Sequence, residues 1–239
     1  MVNTLFLRLE SPLQSWGEDS QWSERRTAPQ PTKSGIVGLL ACALGWNDDE
    51  RIRDLSRKIS VGVRHDIRGT PAPLKDYHTV GGGYDKPQLL TAKGEPKTSK
   101  GKPHTEETWR YYLCDASFLV AIRSDSETIE ELARRVQSPV WTFYLGRKSC
   151  VPSRPPFDDV GDYDSLQAAL EQHPARFLDS DAAKQIVKCP RIVVECGAVE
   201  GIRRRDQIVS RAYRRFEPCY SREDRLRNEI KVEYLDEGV

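Results

Sequence analysis

ASFLVAIRSDSETIEELARRV, Ala116 to Val136, changes its period halfway along. Ala116 to Ile122 is apolar almost without alternation, the pattern of a strand covered on both faces. Ser124 or Ser126 then caps a helix that carries Ile129, Leu132, Ala133 and Val136 on one side. Val140 to Leu145 reads as the next strand. This part of the chain is therefore strand, helix, strand.

The same order opens the chain. Leu5, Leu7 and Leu9 alternate with Thr4, Phe6 and Arg8, the period-two pattern of a strand with one deeply buried face. Ser11 to Pro31 carries Pro12, Gly17, Pro29 and Pro31 among polar residues and suits a long irregular loop. Ser34 is a good N-cap, Ile36, Leu39, Leu40 and Ala43 follow at helical spacing, and Gly45 supplies a left-handed stop, so a helix runs from about Ser34 to Leu44. A more polar helix covers about Asp48 to Arg57, and Ile59, Val61 and Val63 alternate as a strand.

Between the two halves, Arg64 to Tyr112 shows little periodicity. Gly81, Gly82 and Gly83 lie together, and Lys93 to Lys102 alternates lysine with Gly, Pro, Ser and Thr. This composition predicts a projecting arm, and a basic arm of this kind can order on a nucleic acid at an entropic cost. The whole order predicts an α+β protein: a ferredoxin-like, RRM-type antiparallel sheet over residues 1–150, with a thumb inserted at about 66–112. Beyond Pro152 to Pro156, a short helix near Ser165 to Gln172 and strands at Arg191 to Cys196, Gln207 to Phe216 and Lys231 to Leu235 predict a smaller, mostly β region over residues 151–239.

With 239 residues, 38% of them hydrophobic, the chain can fill a core without cross-links. No apolar run approaches the roughly 20 residues that span a bilayer, and the first residues lack the basic start and long apolar stretch of a signal peptide. A cytoplasmic protein with no membrane partner is expected. The six cysteines show no pair at the two-residue spacing of zinc sites, and the four histidines form no cluster, so neither a metal nor another cofactor is expected.

Net charge is +1, so a polyanion would be held by local patches rather than by the overall field. One such patch is Arg203, Arg204, Arg205, Arg211, Arg214 and Arg215 against Asp206 alone. Residues 217–239 instead hold seven acids against four bases.

Two short segments suit phosphate chemistry. In PTKSG (Pro31 to Gly35), the unpaired amides of a helix start, the Thr32 and Ser34 hydroxyls and Lys33 can surround a phosphate, with Arg26 adding a bidentate clamp. The alternative is that Ser34 merely caps while Gly35 and Gly38 permit close packing. In GRKS, Gly146 lets backbone approach a phosphate while Arg147 and Lys148 neutralise it beside Ser149. The alternative there is a solvated turn. Trp16, Trp22, Tyr77 and Tyr144 lie where an aromatic face can stack on an unpaired base, although core packing is the commoner fate of tryptophan.

PLQSWG (Pro12 to Gly17) and RRTAPQPTKSGIVGLLACALG (Arg25 to Gly45) resemble the opening of the CasD family, the RNA-handle-binding subunit of the type I-E CRISPR Cascade complex. The resemblance continues in order through RHDIRG (Arg64 to Gly69), DYHT (Asp76 to Thr79), YYLCDASFLVAI (Tyr111 to Ile122) and YLGRKSCVPSRP (Tyr144 to Pro155). The last third matches loosely.

It implies a RAMP-superfamily, non-catalytic subunit of an antiviral ribonucleoprotein complex that binds the 5′ handle of CRISPR RNA and caps the backbone filament. Its partners would be that RNA, the backbone and large subunits, and target DNA indirectly. It favours phosphate binding at Arg26, Thr32, Lys33, Ser34 and Gly35 and at Gly146, Arg147, Lys148 and Ser149. Tyr77 and Tyr144 are the stacking candidates, and the tryptophans stay open. Of the arm bases Arg68, Lys75, Lys86, Lys93, Lys97, Lys100 and Lys102, Arg68 and Lys75 near the arm's root are preferred. Arg203 to Arg205 suit RNA or another subunit equally.

The competing reading is a metal-independent endoribonuclease like the related type I-C subunit, with Tyr77, His78, Lys102 and His104 available for acid-base work. Pro103 separates Lys102 from His104, so the adjacent lysine-histidine pair of that subunit is not reproduced. A structural adaptor that contacts only proteins is a third reading. A nucleotide-binding enzyme is disfavoured, because Gly81 to Gly83 and SGIVG make neither a Walker motif nor a dinucleotide fingerprint.

Overall fold

The structure is a computed structural model that describes residues 2–17, 21, 23–81, 89–177, 180–211 and 213–235. In chain order the elements are β1 (Thr4–Gln14), β2 (Glu24–Arg25), α1 (Lys33–Leu44), α2 (Asp49–Lys58), β3 (Ser60–Arg68), β4 (Leu74–Gly81), β5 (Thr98–Ser99), β6 (Lys102–Pro103) and β7 (Thr105–Arg123). They continue with α3 (Ser126–Gln137), β8 (Phe157–Gly161), α4 (Leu166–Gln172), β9 (Ala175–Phe177), α5 (Ser180–Lys184), β10 (Arg191–Glu195), β11 (Ile202–Ser210), β12 (Arg215–Arg225) and β13 (Val232–Tyr234). The chain is mixed α and β, built on a large antiparallel sheet of order β11-β12-β10-β3-β7-β1-β8.

Both faces of that sheet are covered. On one, Leu5, Leu7 and Leu9 pack with Val63, Val120, Ile36, Leu40 and Leu132, so α1 and α3 lie on this side. On the other, Phe6, Leu119, Ala121 and Val194 pack with Leu166 and Leu170 of α4. Hence 116–122 is apolar on both sides, and each fully buried Leu or Phe contributes on the order of 2 kcal/mol. Thr32 rather than Ser34 is the N-cap of α1, and Asp125 rather than either flanking serine is that of α3.

Three sequence expectations are corrected. Val140 to Leu145 is not a strand. The Val140 and Trp141 amides donate to the carbonyls of Ala43 and Cys42 at 3.1 and 3.2 Å, closing the end of α1 instead of entering a ladder. The strand beside β1 is β8, in register Leu5 to Val160, whose acidic FDDVG hides a buried position because Asp158 is neutralised from several sides. The expected strand from Gln207 to Phe216 is two strands, β11 and β12, with Arg211, Tyr213 and Arg214 in the turn between them. No glycine or proline marks that turn; Arg214 itself adopts φ 48°.

The third correction concerns the arm, which is a ribbon rather than an irregular segment. β4 pairs antiparallel with the first half of β7, from Leu74 opposite Tyr112 to Gly81 opposite Thr105. Both of its faces are largely open to solvent, so no apolar alternation betrays it. Gly82, Gly83 and Lys86 lie outside the described residues.

A buried ionic cluster ties the layer after β8 to the sheet. Arg8 donates to Asp66, and Arg64 clamps Asp66 through Nε at 2.5 Å and Nη2 at 3.0 Å. Arg64 also donates to the carbonyls of Leu170 and His173, while Arg8 reaches the Pro174 carbonyl at 3.2 Å. Asp158 accepts from Arg154 and His173 at 2.8 Å each.

Beside this cluster, His65 is buried edge-on to Phe118 and 3.1 Å from Gln30. Burial first, then Arg191, lower its pKa to about 4, with Asp66 opposing and Arg68 adding to the fall. The unfolded chain therefore takes up a proton that the folded chain refuses as pH drops below 6.5. Stability is expected to fall by roughly 3 kcal/mol between pH 6.5 and 4. In denaturant titrations across that range, His65→Gln should flatten this slope; an equal slope in the variant would assign it to other groups.

Candidate nucleic-acid interface

The start of α1 is already filled. Asp206 of β11 accepts from the Lys33 amide at 2.5 Å, from the Ser34 amide at 3.1 Å and from the Ser34 hydroxyl. The Lys33 ammonium, itself buried, pairs with Glu195 at 2.6 Å. Thr32 receives the Gly35 amide at 3.2 Å. A phosphate at this helix end would thus meet a carboxylate where donors were expected. Gly35 lies under the Trp16 ring, which a Cβ would approach to 2.7 Å. Trp16 is buried and donates to Gln14 at 3.1 Å, so it is a core residue. Trp22 lies outside the described residues.

Beside the helix start lies an open groove. Arg25, Arg26, Gly38 of α1, Gly146, Arg147 and, from the β11–β12 turn, Arg211 and Arg214 are among the residues that line it. Five arginines line it and, among the described residues, no carboxylate does. Above Gly38 an added Cβ would meet nothing within 4 Å, so backbone is accessible there. Arg25 and Arg26, the Gly146–Arg147 end of the 146–149 turn and the β11–β12 turn therefore meet in one place. No described residue of the arm at 66–112 lines it, so the expected convergence of the arm's root is not seen.

Several side chains hold the walls in position. Arg147 donates to the carbonyls of Tyr111 at 3.2 Å and Arg25 at 2.7 Å, and its guanidinium sits 4.6 Å above the Tyr112 ring. Gly146 adopts φ 100°, and a Cβ there would fall 1.7 Å from the Ser15 carbonyl oxygen. Arg211 is fixed to the start of α2 through Asp49 at 2.8 Å and the Asn47 carbonyl at 2.8 Å. Arg26 pairs with Glu24 at 3.2 Å in the open. For Arg25 and Arg214 no ion pair is formed among the described residues.

Tyr144, Lys148 and Ser149 are exposed on the turn but do not line the groove. On the arm, Tyr77 lies opposite Trp109 and Lys75 opposite Tyr111, so these four share one face of the ribbon. The Tyr77 and Trp109 rings are 5.8 Å apart, and the Lys75 ammonium stands 5.4 Å from the Trp109 ring. Tyr77 is 53% exposed, an aromatic surface open to a base. Arg68 lies in a neighbouring cleft instead.

The two candidate histidines are held by different carboxylates on the ribbon. His78 bonds to Asp76 at 2.6 Å, and His104 to Glu106 at 3.0 Å, which also accepts from Lys97 at 2.7 Å. Tyr77 and His78, adjacent on a strand, point to opposite faces and cannot address one scissile bond together.

Arg211 and Arg214 escaped specific assignment from sequence. Their signal was the arginine run itself, but nothing local showed that a turn would carry two of its members to the groove while Arg204 bonds to Ser221 elsewhere.

Comparison with known proteins places this geometry in context. The family model described as CRISPR-associated protein (Cas_Cas5) matches residues 4–218. The chain is 38% identical over 169 residues to the CRISPR system Cascade subunit CasD of Escherichia coli (strain K12), covering 66% of this chain and 70% of that protein. It superposes with a TM-score of 0.74 and 28% identity on a chain of a solved CRISPR RNA-guided surveillance complex, over 98% of this chain and 95% of that one. A crystal structure titled as a Cas protein gives a TM-score of 0.67 at 33% identity, over 96% and 98% of the two chains.

Proposed function

The chain belongs to the Cas5 family of CRISPR-associated proteins, and from that premise we propose that it is a non-catalytic subunit of a Cascade-type surveillance complex that holds the 5′ handle of CRISPR RNA and caps the backbone filament. The observation that carries this reading is the groove: five arginines without a lining carboxylate, on a protein of net charge +1. Such a local concentration attracts a polyanion that the protein as a whole would not.

In this reading Arg25, Arg26, Arg147, Arg211 and Arg214 hold phosphates, and the open backbone at Gly38 lets the strand lie close. Thr32, Ser34 and Gly35 shape the wall rather than hold phosphate, since Asp206 and Trp16 occupy them, and Lys33 is drawn away from the groove by Glu195. Lys148, Ser149 and Tyr144 form a rim, while Lys75 and Tyr77 with Trp109 offer a stacking surface on the arm. The strand order β3-β7-β1-β8, with helices after β1 and β7, supports an RRM-type, ferredoxin-like platform. Its fourth strand, β8, lies past the expected boundary at residue 150, so the platform runs to Gly161 and β10, β11 and β12 extend its sheet beyond β3. The neighbours would be the backbone and large subunits, with target DNA reached only through the RNA.

The test is incubation of the full chain in EDTA with RNA that carries its own repeat-derived 5′ handle. Intact RNA should be retained, and affinity should fall with salt at about −0.7 per phosphate held. A single specific cut lost in His78→Ala or His104→Ala would establish the endoribonuclease instead, and absence of binding at physiological salt would favour a protein-only adaptor.

A further inference from the structure

Across the loop at 27–31 from the groove lies a second cleft that the handle-holding account does not use. Its floor crosses three strands. Arg225 of β12 stands directly opposite Arg191 of β10, Arg191 is close enough to His65 of β3 to act on it electrostatically, and Arg68 projects at the end of β3. Pro71, Pro73 and Leu113 make an apolar shelf on the arm side.

Three guanidinium groups face one lining carboxylate, Glu223, which pairs with Arg191 at 2.6 Å. Arg68 and Arg225 are exposed, and among the described residues neither forms an ion pair. His65 cannot relieve the excess, because burial and then Arg191 keep it neutral near pH 7. A cleft with unpaired guanidinium groups from separate strands and a prolyl shelf is shaped for an oxyanion that carries a flat, partly apolar neighbour.

We propose that this cleft is a second RNA grip, in which Arg68, Arg191 and Arg225 surround one backbone phosphate and the Pro71–Pro73 shelf packs against the adjoining nucleoside. It rests on the RNA-holding reading above and extends it. Thr27 and Pro29 line this cleft, while Arg25 and Arg26, one and two residues before Thr27, line the groove. A single strand leaving the groove over this loop therefore arrives among the three arginines. An acidic protein segment would satisfy the charge but gives no reason for this continuity with the groove.

The experiment compares two sets of single variants of the full chain, binding the same handle-bearing RNA over a salt series. Arg68→Ala and Arg225→Ala probe the cleft; Arg25→Ala and Arg214→Ala probe the groove. All four side chains are exposed, and thermal melting verifies that the variants fold. The cleft variants are expected to lower affinity roughly three- to tenfold and to make the salt slope shallower, by no more than the about 0.7 that one phosphate carries. Ring signals of His65 should also report a higher proton affinity once RNA is bound, because a phosphate offsets Arg191 and Arg68, and Arg225→Ala should weaken that response.

Cleft variants that match the unaltered protein while groove variants lose affinity would overturn the second grip and leave the RNA-holding reading intact. No binding by any form of the chain would defeat both. Cleft variants that bind RNA normally but fail to assemble with the other subunits would overturn it in favour of a protein-docking surface.

Discussion

Asp66→Ala is expected to lower folding stability by about 3–5 kcal/mol, the cost of leaving buried guanidinium groups without their counter-charge. Asp66 is fully buried and accepts from both Arg8 and Arg64, which are fully buried themselves. Removing it strands two cations at the junction of β1, β3 and the α4–β9 layer. For a chain of this size the loss corresponds to a fall in Tm on the order of 10 °C.

Burial pushes the Asp66 carboxyl up, but Arg64 and then Arg8 overcome this and hold it below the ordinary carboxylate range. Burial likewise raises Asp158, and the His173 hydrogen bond followed by Arg8 and Arg154 brings it down to about 2. Depressed carboxylates stabilise the fold above their unfolded pKa near 3.8, and this contribution disappears as pH falls toward 2. Thermal melts should therefore show a steep acid limb in the unaltered protein. A loss under about 1 kcal/mol in Asp66→Ala would mean that the two arginines find other partners and that the cluster is not what joins the layers.

Gly146→Ala is the second large effect. The native φ of 100° is strained for any residue with a Cβ, and the added atom would fall inside the Ser15 carbonyl, so the turn must move. At least about 2 kcal/mol of stability should be lost. RNA affinity should drop tenfold or more, because Arg147 then leaves its seat on the Tyr111 and Arg25 carbonyls. Gly38→Ala is the counterpart. Its methyl meets nothing, so helix propensity predicts stabilisation of about 1 kcal/mol, while on the proposed reading the methyl takes up groove space and lowers RNA affinity. Calorimetry and filter binding separate the two outcomes, and equal RNA affinity in all three proteins would remove the groove from the account.

Much of the sheet was legible because burial writes itself into sequence. The apolar run at 116–122 and the helical spacing of Ile129, Leu132 and Val136 required a covered strand followed by an amphipathic helix. The arm ribbon was not legible, since a strand with two open faces need not alternate. β8 was hidden by acids whose burial depends on Arg8, Arg154 and His173 arriving from elsewhere. Among the residues that line the groove, Arg26, Gly146 and Arg147 were legible as local chemistry suited to a phosphate. That Asp206 would occupy the start of α1 was not, because 172 residues separate it from Ser34. Nor was it visible that Arg211 and Arg214 would cross to the groove, since Arg214 makes the turn without a glycine.

Ultraviolet crosslinking of CRISPR RNA in the assembled complex, mapped to peptides, tests the central claim most directly. The groove predicts crosslinks on peptides that contain Arg25 and Arg26, Gly146 and Arg147, and residues 211–216. Crosslinks confined to residues 157–177, with none on those three peptides, would contradict it.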